Sequence, residues 1–129
     1  MPDVDGPDTA VLDGVQAAVE DYDGALAAGD TDRATAWFDA GAATTRFGPQ
    51  GEQWGIEEVA AVRATTAPTG LPAVVHQEAR RVAPNLVLHL RVIERGGRTV
   101  QRTQLWRCSG SAGAWRIVHA HVSTRGAGS

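Results

Sequence analysis

The chain has 129 residues and a formal net charge of −3, and at 13.6 kDa it fits one domain with a buried core. Hydrophobic residues make up 43% of the sequence, which argues against a disordered chain, and no apolar run approaches the ~20 residues of a membrane span. All twelve basic residues are arginine, so lysine Schiff-base chemistry and a phosphate-loop lysine are excluded.

Charge is distributed unevenly along the sequence. Residues 1–39 sum to −9 and residues 40–129 sum to +6, so an arginine-rich body follows an acidic start. This body favours a small anionic ligand, because the guanidinium fork matches a carboxylate. We predict no nucleic-acid partner, since the pI is about 5.7 and no recognition motif is present. We also predict no membrane association and a cytoplasmic location, because no leader is visible and Cys108 is the sole cysteine.

The first part of the chain predicts helices. We expect one domain over residues 9–124 with loose tails at 1–8 and 125–129. A first helix begins near Asp8 or Thr9 and ends near Gly29, with its acidic residues mostly off the apolar stripe. A second, short helix is capped by Asp30 or Thr31. The stripe consists of residues with i, i+3, i+4 spacing: Val11, Leu12, Val15, Ala18, Val19, Tyr22 and Leu26.

The rest of the chain predicts mainly strands. Residues 42–47 and 52–54 form a hairpin, residues 56–66 form a third helix, and four long antiparallel strands follow at 73–82, 86–94, 98–108 and 115–124. Three helices before such a meander predict an α+β domain with the helices packed on one face of a curved antiparallel sheet.

The last strand contains the most suggestive residues. Strict alternation places Trp115, Ile117, His119, His121 and Ser123 on one face, and Arg116, Val118, Ala120 and Val122 on the other. Two histidines beside apolar neighbours predict a small-molecule pocket in which either histidine acts as general base or acid.

Other interpretations of the two histidines stay open. They could be structural, or they could bind a metal with a third ligand from His76, His89 or a glutamate, although nothing in the sequence fixes that ligand. A carboxylate base from Glu78 or Glu94 is less favoured. We therefore predict neither a metal nor a cofactor. No serine lies in a nucleophile elbow, and no aspartate follows residue 39, so a serine triad is not supported.

Six short motifs occur in one order along residues 15–124. Together they resemble the nuclear transport factor 2-like, or SnoaL-like, superfamily and within it the AtzH-like branch. The motifs are Tyr22-Asp23-x-Ala25-Leu26, Thr45-Arg46-Phe47-Gly48, Glu52-x-Trp54-Gly55-Ile56, Val62-Arg63, Thr103-Gln104-x-Trp106-Arg107, and the segment from Gly113 to Ser123.

The resemblance implies a cone-shaped fold and small anionic ureido or amide compounds as substrates. Two positions depart from the branch. Thr66 stands where members usually carry a second helix-three arginine, and His119 stands where they usually carry alanine. These departures put a shared substrate in doubt.

Candidate pocket residues follow from residue chemistry and this resemblance. Arg46 and Arg63 would bind a carboxylate, and Gln104 and Tyr22 would hold a carbonyl. An ion pair with Glu52 or Glu57 is the alternative for Arg46. The remaining candidates are His119 or His121 for proton transfer and, for the pocket wall or the core, Trp54, Trp106 and Trp115.

Three functions remain open at this level. The first is a cofactor-free hydrolase of a small anionic amide or ureido compound. The second is an isomerase, dehydratase or cyclase of a natural-product intermediate that uses a histidine base. The third is a non-catalytic ligand-binding or accessory subunit of an amidase. We also predict a homodimer through the outer sheet face, where Val118, Ala120 and Val122 would present apolar surface.

Overall fold

Three helices come first in the structure, a computed structural model that describes residues 7–41, 43–68, 70–109 and 114–126. They are α1 (Asp8–Ala28), α2 (Thr31–Ala36) and α3 (Ile56–Thr65). α1 buries the predicted stripe and ends at Gly29, whose left-handed φ of 74° suits glycine. The Asp30 side chain accepts a hydrogen bond from the Arg33 backbone N–H at 3.2 Å and so caps α2 as predicted.

Six strands form one sheet. They are β1 (Thr45–Gly48), β2 (Gly51–Trp54), β3 (Ala73–Ala83), β4 (Leu86–Arg95), β5 (Arg98–Cys108) and β6 (Trp115–Gly126), in the spatial order β2-β1-β6-β5-β4-β3. The predicted meander of β3 to β6 and the β1–β2 hairpin are confirmed. β1 joins β6 in parallel, and this pairing attaches the hairpin to the long strands.

Strand ends differ slightly from the predictions. β6 continues through Arg125 and Gly126, where Gly126 pairs with Arg98, because β5 is long enough to partner it. Residues 1–6 and 127–129 of the predicted tails, residue 42 of the predicted first strand, and residues 110–113 of the predicted turn before β6 lie outside the described residues.

A β-bulge interrupts the alternation of β6. Ile117 pairs with Trp106 and His119 pairs with Leu105, so Val118 is an extra residue without an opposite partner. Trp115 and Ile117 therefore face the helices before the bulge, and Ala120 and Val122 face them after it. The prediction that Trp115, Ile117, His119 and His121 share a face is wrong, because one inserted residue reverses every later side chain.

The core lies between α1 and the inner face of the sheet. It includes fully buried Val11, Val15 and Val19 of α1 against Trp106 and Ile117 of the sheet. These core residues lie toward the N-terminal part of α1. Toward the other end the inner face becomes polar, and a cavity opens there.

Candidate functional site

A cavity of about 330 Å³ lies between the helices and the inner face of the sheet. Tyr22 of α1, Arg46 of β1 and Arg63 of α3 line it, together with Arg102 of β5 and Val122 of β6. Arg95 and Arg98 line it as well, from the exposed β4–β5 turn. The volume suits a small molecule, and the lining is rich in positive charge.

Arg46 is held in a narrow polar slot. Its Nη1 donates to Oε1 of Gln53 at 3.0 Å and to Oε1 of Gln50 at 3.2 Å. Glycine at position 48 allows this arrangement, because a Cβ there would lie 3.3 Å from the same nitrogen. The side chain leaves β1 on the face opposite to Thr45 and Phe47, as predicted, but the predicted alternative of an ion pair with Glu52 or Glu57 is not formed.

Arg63 and Tyr22 form the second element of the site. Arg63 Nη2 donates to the Tyr22 hydroxyl, and the guanidinium carbon lies 5.6 Å from the centre of the tyrosine ring. The Tyr22 ring packs edge-to-face against Phe38 at 5.8 Å, which fixes its orientation. Since the hydroxyl oxygen accepts from Arg63, its O–H remains as a donor toward the cavity.

Two cations thus lie buried together. Arg46 is 4% exposed and Arg63 is 7% exposed. Among the described residues, no carboxylate forms an ion pair with either, and the Nε of each has no hydrogen-bond partner. Burial, followed by repulsion from Arg63, lowers the pKa of Arg46. A buried charge without a counter-ion is costly, so this arrangement indicates a site for an anion.

Asp23 forms an ion-paired cluster, distinct from Arg46 and Arg63, that was not predicted from the sequence. Its carboxylate accepts from Arg91 Nη1 at 2.5 Å and from Arg102 Nη1 at 2.7 Å and Nη2 at 3.3 Å. Burial raises the pKa of Asp23, but the two guanidiniums outweigh it, so the pKa is lowered overall. The signal was present in the sequence: Asp23 lies four residues after Val19 and three before Leu26, on the apolar stripe rather than off it.

His119 and His121 do not reach the cavity. They lie on the outer face of the sheet, beside the Phe47 ring at centroid distances of 5.2 and 6.0 Å. The Nδ1 of His119 hydrogen-bonds the Thr45 hydroxyl at 2.7 Å. Burial, followed by repulsion from His121, lowers the pKa of His119. The bulge at Val118 places both histidines there, so they are separated by the sheet from Tyr22, Arg46 and Arg63.

The remaining predicted pocket residues divide between core and surface. Gln104 shares the inner face with Arg102 and Trp106, as predicted, but its Oε1 accepts from the Trp106 indole N–H at 3.1 Å, deep in the core. Trp106 and Trp115 are core residues. Trp54 is 62% exposed and packs edge-to-face against Phe47 at the outer face. None of these four residues lines the arginine cavity.

A fully buried histidine, His89, lies between the core and the Asp23 cluster. Its Nε2 lies 3.2 Å from Gln16 Oε1, so this nitrogen carries the proton. Burial first, and then the charges of Arg102 and Arg91, lower the pKa of His89 to about 4. His89 is therefore neutral at physiological pH and serves the core.

The described residues contain no group of three or more His, Cys, Asp or Glu side chains placed to hold a metal ion. No helix among them is both long and apolar enough to cross a bilayer.

The element order and the cavity define an α+β cone of the nuclear transport factor 2-like class. The AtzH-like family model matches residues 3–127, nearly the whole sequence, and the chain belongs to the AtzH-like family. No curated protein matches the sequence.

Solved structures agree with this class. A protein of unknown function from the DUF3225 family of Pectobacterium atrosepticum is 28% identical, with a TM-score of 0.80 over 90% of this chain and 91% of that one. A cystatin-like fold protein from Burkholderia xenovorans is 24% identical, with a TM-score of 0.85 over 92% and 95%. A nuclear transport factor 2-like superfamily protein from Salmonella enterica is 18% identical, with a TM-score of 0.70 over 95% of each chain. These similarities establish the fold, whereas the family rests on the match to the family model.

Proposed function

We propose that this protein binds a small carboxylate-bearing amide or ureido compound in the arginine cavity. The observation that carries the proposal is the pair of buried guanidiniums, Arg46 and Arg63, for which no described carboxylate acts as counter-ion. A ligand carboxylate would supply the missing charge. The Tyr22 hydroxyl, held by Arg63, would then donate to the carbonyl oxygen of the same ligand.

Hydrolysis of the bound amide or ureido bond is the reaction that we propose this recognition serves. That step rests on the resemblance to the AtzH-like family rather than on a visible catalytic base. The described cavity lining contains no histidine, and its carboxylate, Asp23, is already ion-paired. Tyr22 is the remaining group that could transfer a proton to the ligand. The same absence counts against the alternative of a carbon-acid isomerase or cyclase with a histidine base.

Carboxylate binding tests the proposal directly. Calorimetry and thermal shift with propionate, oxamate and ureidoacetate, compared with propionamide and a neutral aromatic compound, should show binding of the carboxylates alone. Arg46→Met should weaken that binding by about tenfold or more, because charge-assisted hydrogen bonds of roughly 1.5–3 kcal/mol are lost. The melting temperature of the ligand-free variant should change little, since removal of a buried charge without a described counter-ion offsets the loss of the hydrogen bonds to Gln50 and Gln53.

The exposed Arg80, which pairs with Glu78 away from the cavity, provides the matched control. Arg80→Met should leave carboxylate binding unchanged. Neutral amides that bind as tightly as carboxylates, or full affinity in Arg46→Met, would contradict the proposal.

A homodimer through the outer sheet face remains a proposal, with a corrected surface. Ala120 and Val122 face inward, so they cannot provide the contact. The outer face instead carries Leu88, Leu90, Val92 and Leu105, which are only partly buried within one chain. Sedimentation should show a dimer that Leu90→Glu dissociates, and a monomeric unmodified chain would refute it. A cytoplasmic location likewise stays a prediction.

A further inference from the structure

Asp23 and the two arginines around it have the geometry of an occupied carboxylate site. Arg102 offers two nitrogens to the carboxylate, and Arg91 approaches its Oδ2. Gln77 orients the Arg91 guanidinium, since its Oε1 accepts from Arg91 Nε at 3.2 Å and from Nη2 at 2.9 Å. Both arginines are thus oriented toward a carboxylate, as they would be in a ligand subsite.

The Tyr22 ring adjoins an arginine of each group. The guanidinium carbon of Arg63 is 5.6 Å from the ring centre, and that of Arg102 is 5.9 Å from it. Asp23 and Arg102 line the same cavity as Arg46 and Arg63. One cavity therefore contains two cationic subsites beside one aromatic ring. Asp23 fills one of them, and no carboxylate among the described residues fills the other.

The filled subsite retains positive character. Two guanidiniums share one carboxylate, and the Nε of Arg102 is buried without a hydrogen-bond partner among the described residues. Loss of the Asp23 charge would leave two buried cations uncompensated, the same condition that marks Arg46 and Arg63. An external carboxylate of similar size could then take its place.

We propose that Asp23 is a specificity-determining residue, a resident carboxylate that occupies a second anion subsite and prevents a ligand from using Arg102. The inference rests on the proposed function and adds to it the charge of the ligand: one carboxylate is bound inside the cavity, at Arg46 and Arg63. Arg95 and Arg98 lie at the exposed mouth, where solvent and salt weaken their attraction for a second charge.

The test is the preference for dicarboxylates over monocarboxylates. Calorimetry would measure propionate, malonate, succinate and glutarate on the unmodified protein and on Asp23→Ala, which removes both the charge and the volume of the resident carboxylate. The unmodified protein should bind the best dicarboxylate no more than a few-fold more tightly than propionate. In Asp23→Ala that ratio should rise by about tenfold or more, because a second charged contact becomes available.

Asp21→Ala is the matched control. Asp21 is also an α1 carboxylate that pairs with an arginine, Arg33, but it does not line the cavity. Its substitution should leave the ratio unchanged. The proposal is overturned if Asp23→Ala leaves the ratio unchanged, or if the unmodified protein already prefers a dicarboxylate by tenfold.

A second variant covers the case in which Asp23→Ala does not fold. Asp23→Ala combined with Arg91→Gln removes one charge of each sign and keeps Arg102, and it should show the same rise in the ratio. If this variant is unfolded as well, added acetate must restore the helical circular dichroism of Asp23→Ala, because acetate replaces the missing side-chain carboxylate, and failure to do so overturns the proposal.

The outcomes separate this inference from the proposed function. Carboxylate binding that depends on Arg46 without any effect of Asp23→Ala would retain the proposed function and reject the second subsite. An unmodified protein that binds no carboxylate, with an Asp23→Ala variant that does, would reject the proposed function and retain the subsite.

Discussion

The two faces of the sheet carry different kinds of polar side chain. The inner face, near the cavity, carries Arg46, Arg91 and Arg102, which are all buried. The outer face carries His76, His119 and His121 among partly buried aliphatic residues. Arginine stays charged throughout the physiological pH range, whereas histidine does not.

This difference indicates where a permanent positive charge is useful. A cavity that recognises an anion gains from cations that cannot lose their proton, even at the cost of burying them. The outer face needs no such charge. His119 and His121 make local contacts with Thr45 and Phe47, and His76 contacts Glu78. Substitutions on the two faces should therefore differ in their effects on stability, on its pH dependence and on ligand binding.

The largest difference between the faces should appear in tryptophan substitutions. Trp106→Ala should lower the free energy of unfolding by about 3–5 kcal/mol, because a fully buried ring on the inner face leaves a cavity in the core. Trp54→Ala, on the outer face, should cost less than about 1 kcal/mol, since that ring is 62% exposed. Urea denaturation measures both, and equal losses would contradict the assignment of the faces.

A smaller effect should appear in acid and depend on His89. Its pKa is lowered from 6.5 to about 4 in the folded state, so the unfolded chain binds the proton first as pH falls. The unfolding free energy should therefore decrease from about pH 6.5 to pH 4, by roughly 3 kcal/mol in total, and this contribution should level off below pH 4.

His89→Gln isolates that contribution, because glutamine can still donate to Gln16 but does not titrate in this range. Denaturation of this variant should lack most of the decrease above pH 4. Below pH 4 it should still lose stability, since the lowered pKa of Asp23 stabilises the fold only while that carboxyl is ionised. His119→Gln should remove a smaller part, because His119 is less buried than His89. An unchanged pH profile in His89→Gln would show that another group causes the acid effect.

The smallest effect concerns the outer histidines and the ligand. His119→Gln and His121→Gln should change carboxylate affinity by less than about twofold, because the sheet separates both side chains from the arginine cavity. Calorimetry with propionate measures this directly. A loss of carboxylate binding in either variant would show that the histidines contribute to the functional site.

Most of the fold could be predicted from the sequence. Apolar spacing located α1, Gly29 and Asp30 marked the junction to α2, and glycine-rich turns separated the long strands. These signals are local, and each reflects a backbone or burial preference of a few neighbouring residues. The parallel pairing of β1 with β6 was not predicted, since it joins segments about 75 residues apart that carry no local signal for each other.

Only part of the site could be predicted. Arg46, Arg63 and Tyr22 were identified, and the structure brings these three together in one cavity. The histidine interpretation failed at a single residue, because Val118 forms a bulge and reverses the faces after it. The sequence does contain a hint. Apolar residues occupy positions 115 and 117 and then positions 120 and 122, so the apolar pattern changes phase at the bulge.

The sequence by itself determined the class of fold, the exclusion of lysine chemistry, and the presence of an arginine-rich body that suits an anion. Composition and periodicity are properties of the sequence, and they do not depend on how the helices and strands are arranged in space. Only the tertiary structure decided which arginines have a carboxylate partner. Asp23 neutralises Arg91 and Arg102 across about 70 and 80 residues of sequence, while no carboxylate in the described part of the chain pairs with the buried Arg46 and Arg63. Ion pairing depends on distances between elements, and those distances exist only after the helices pack on the sheet.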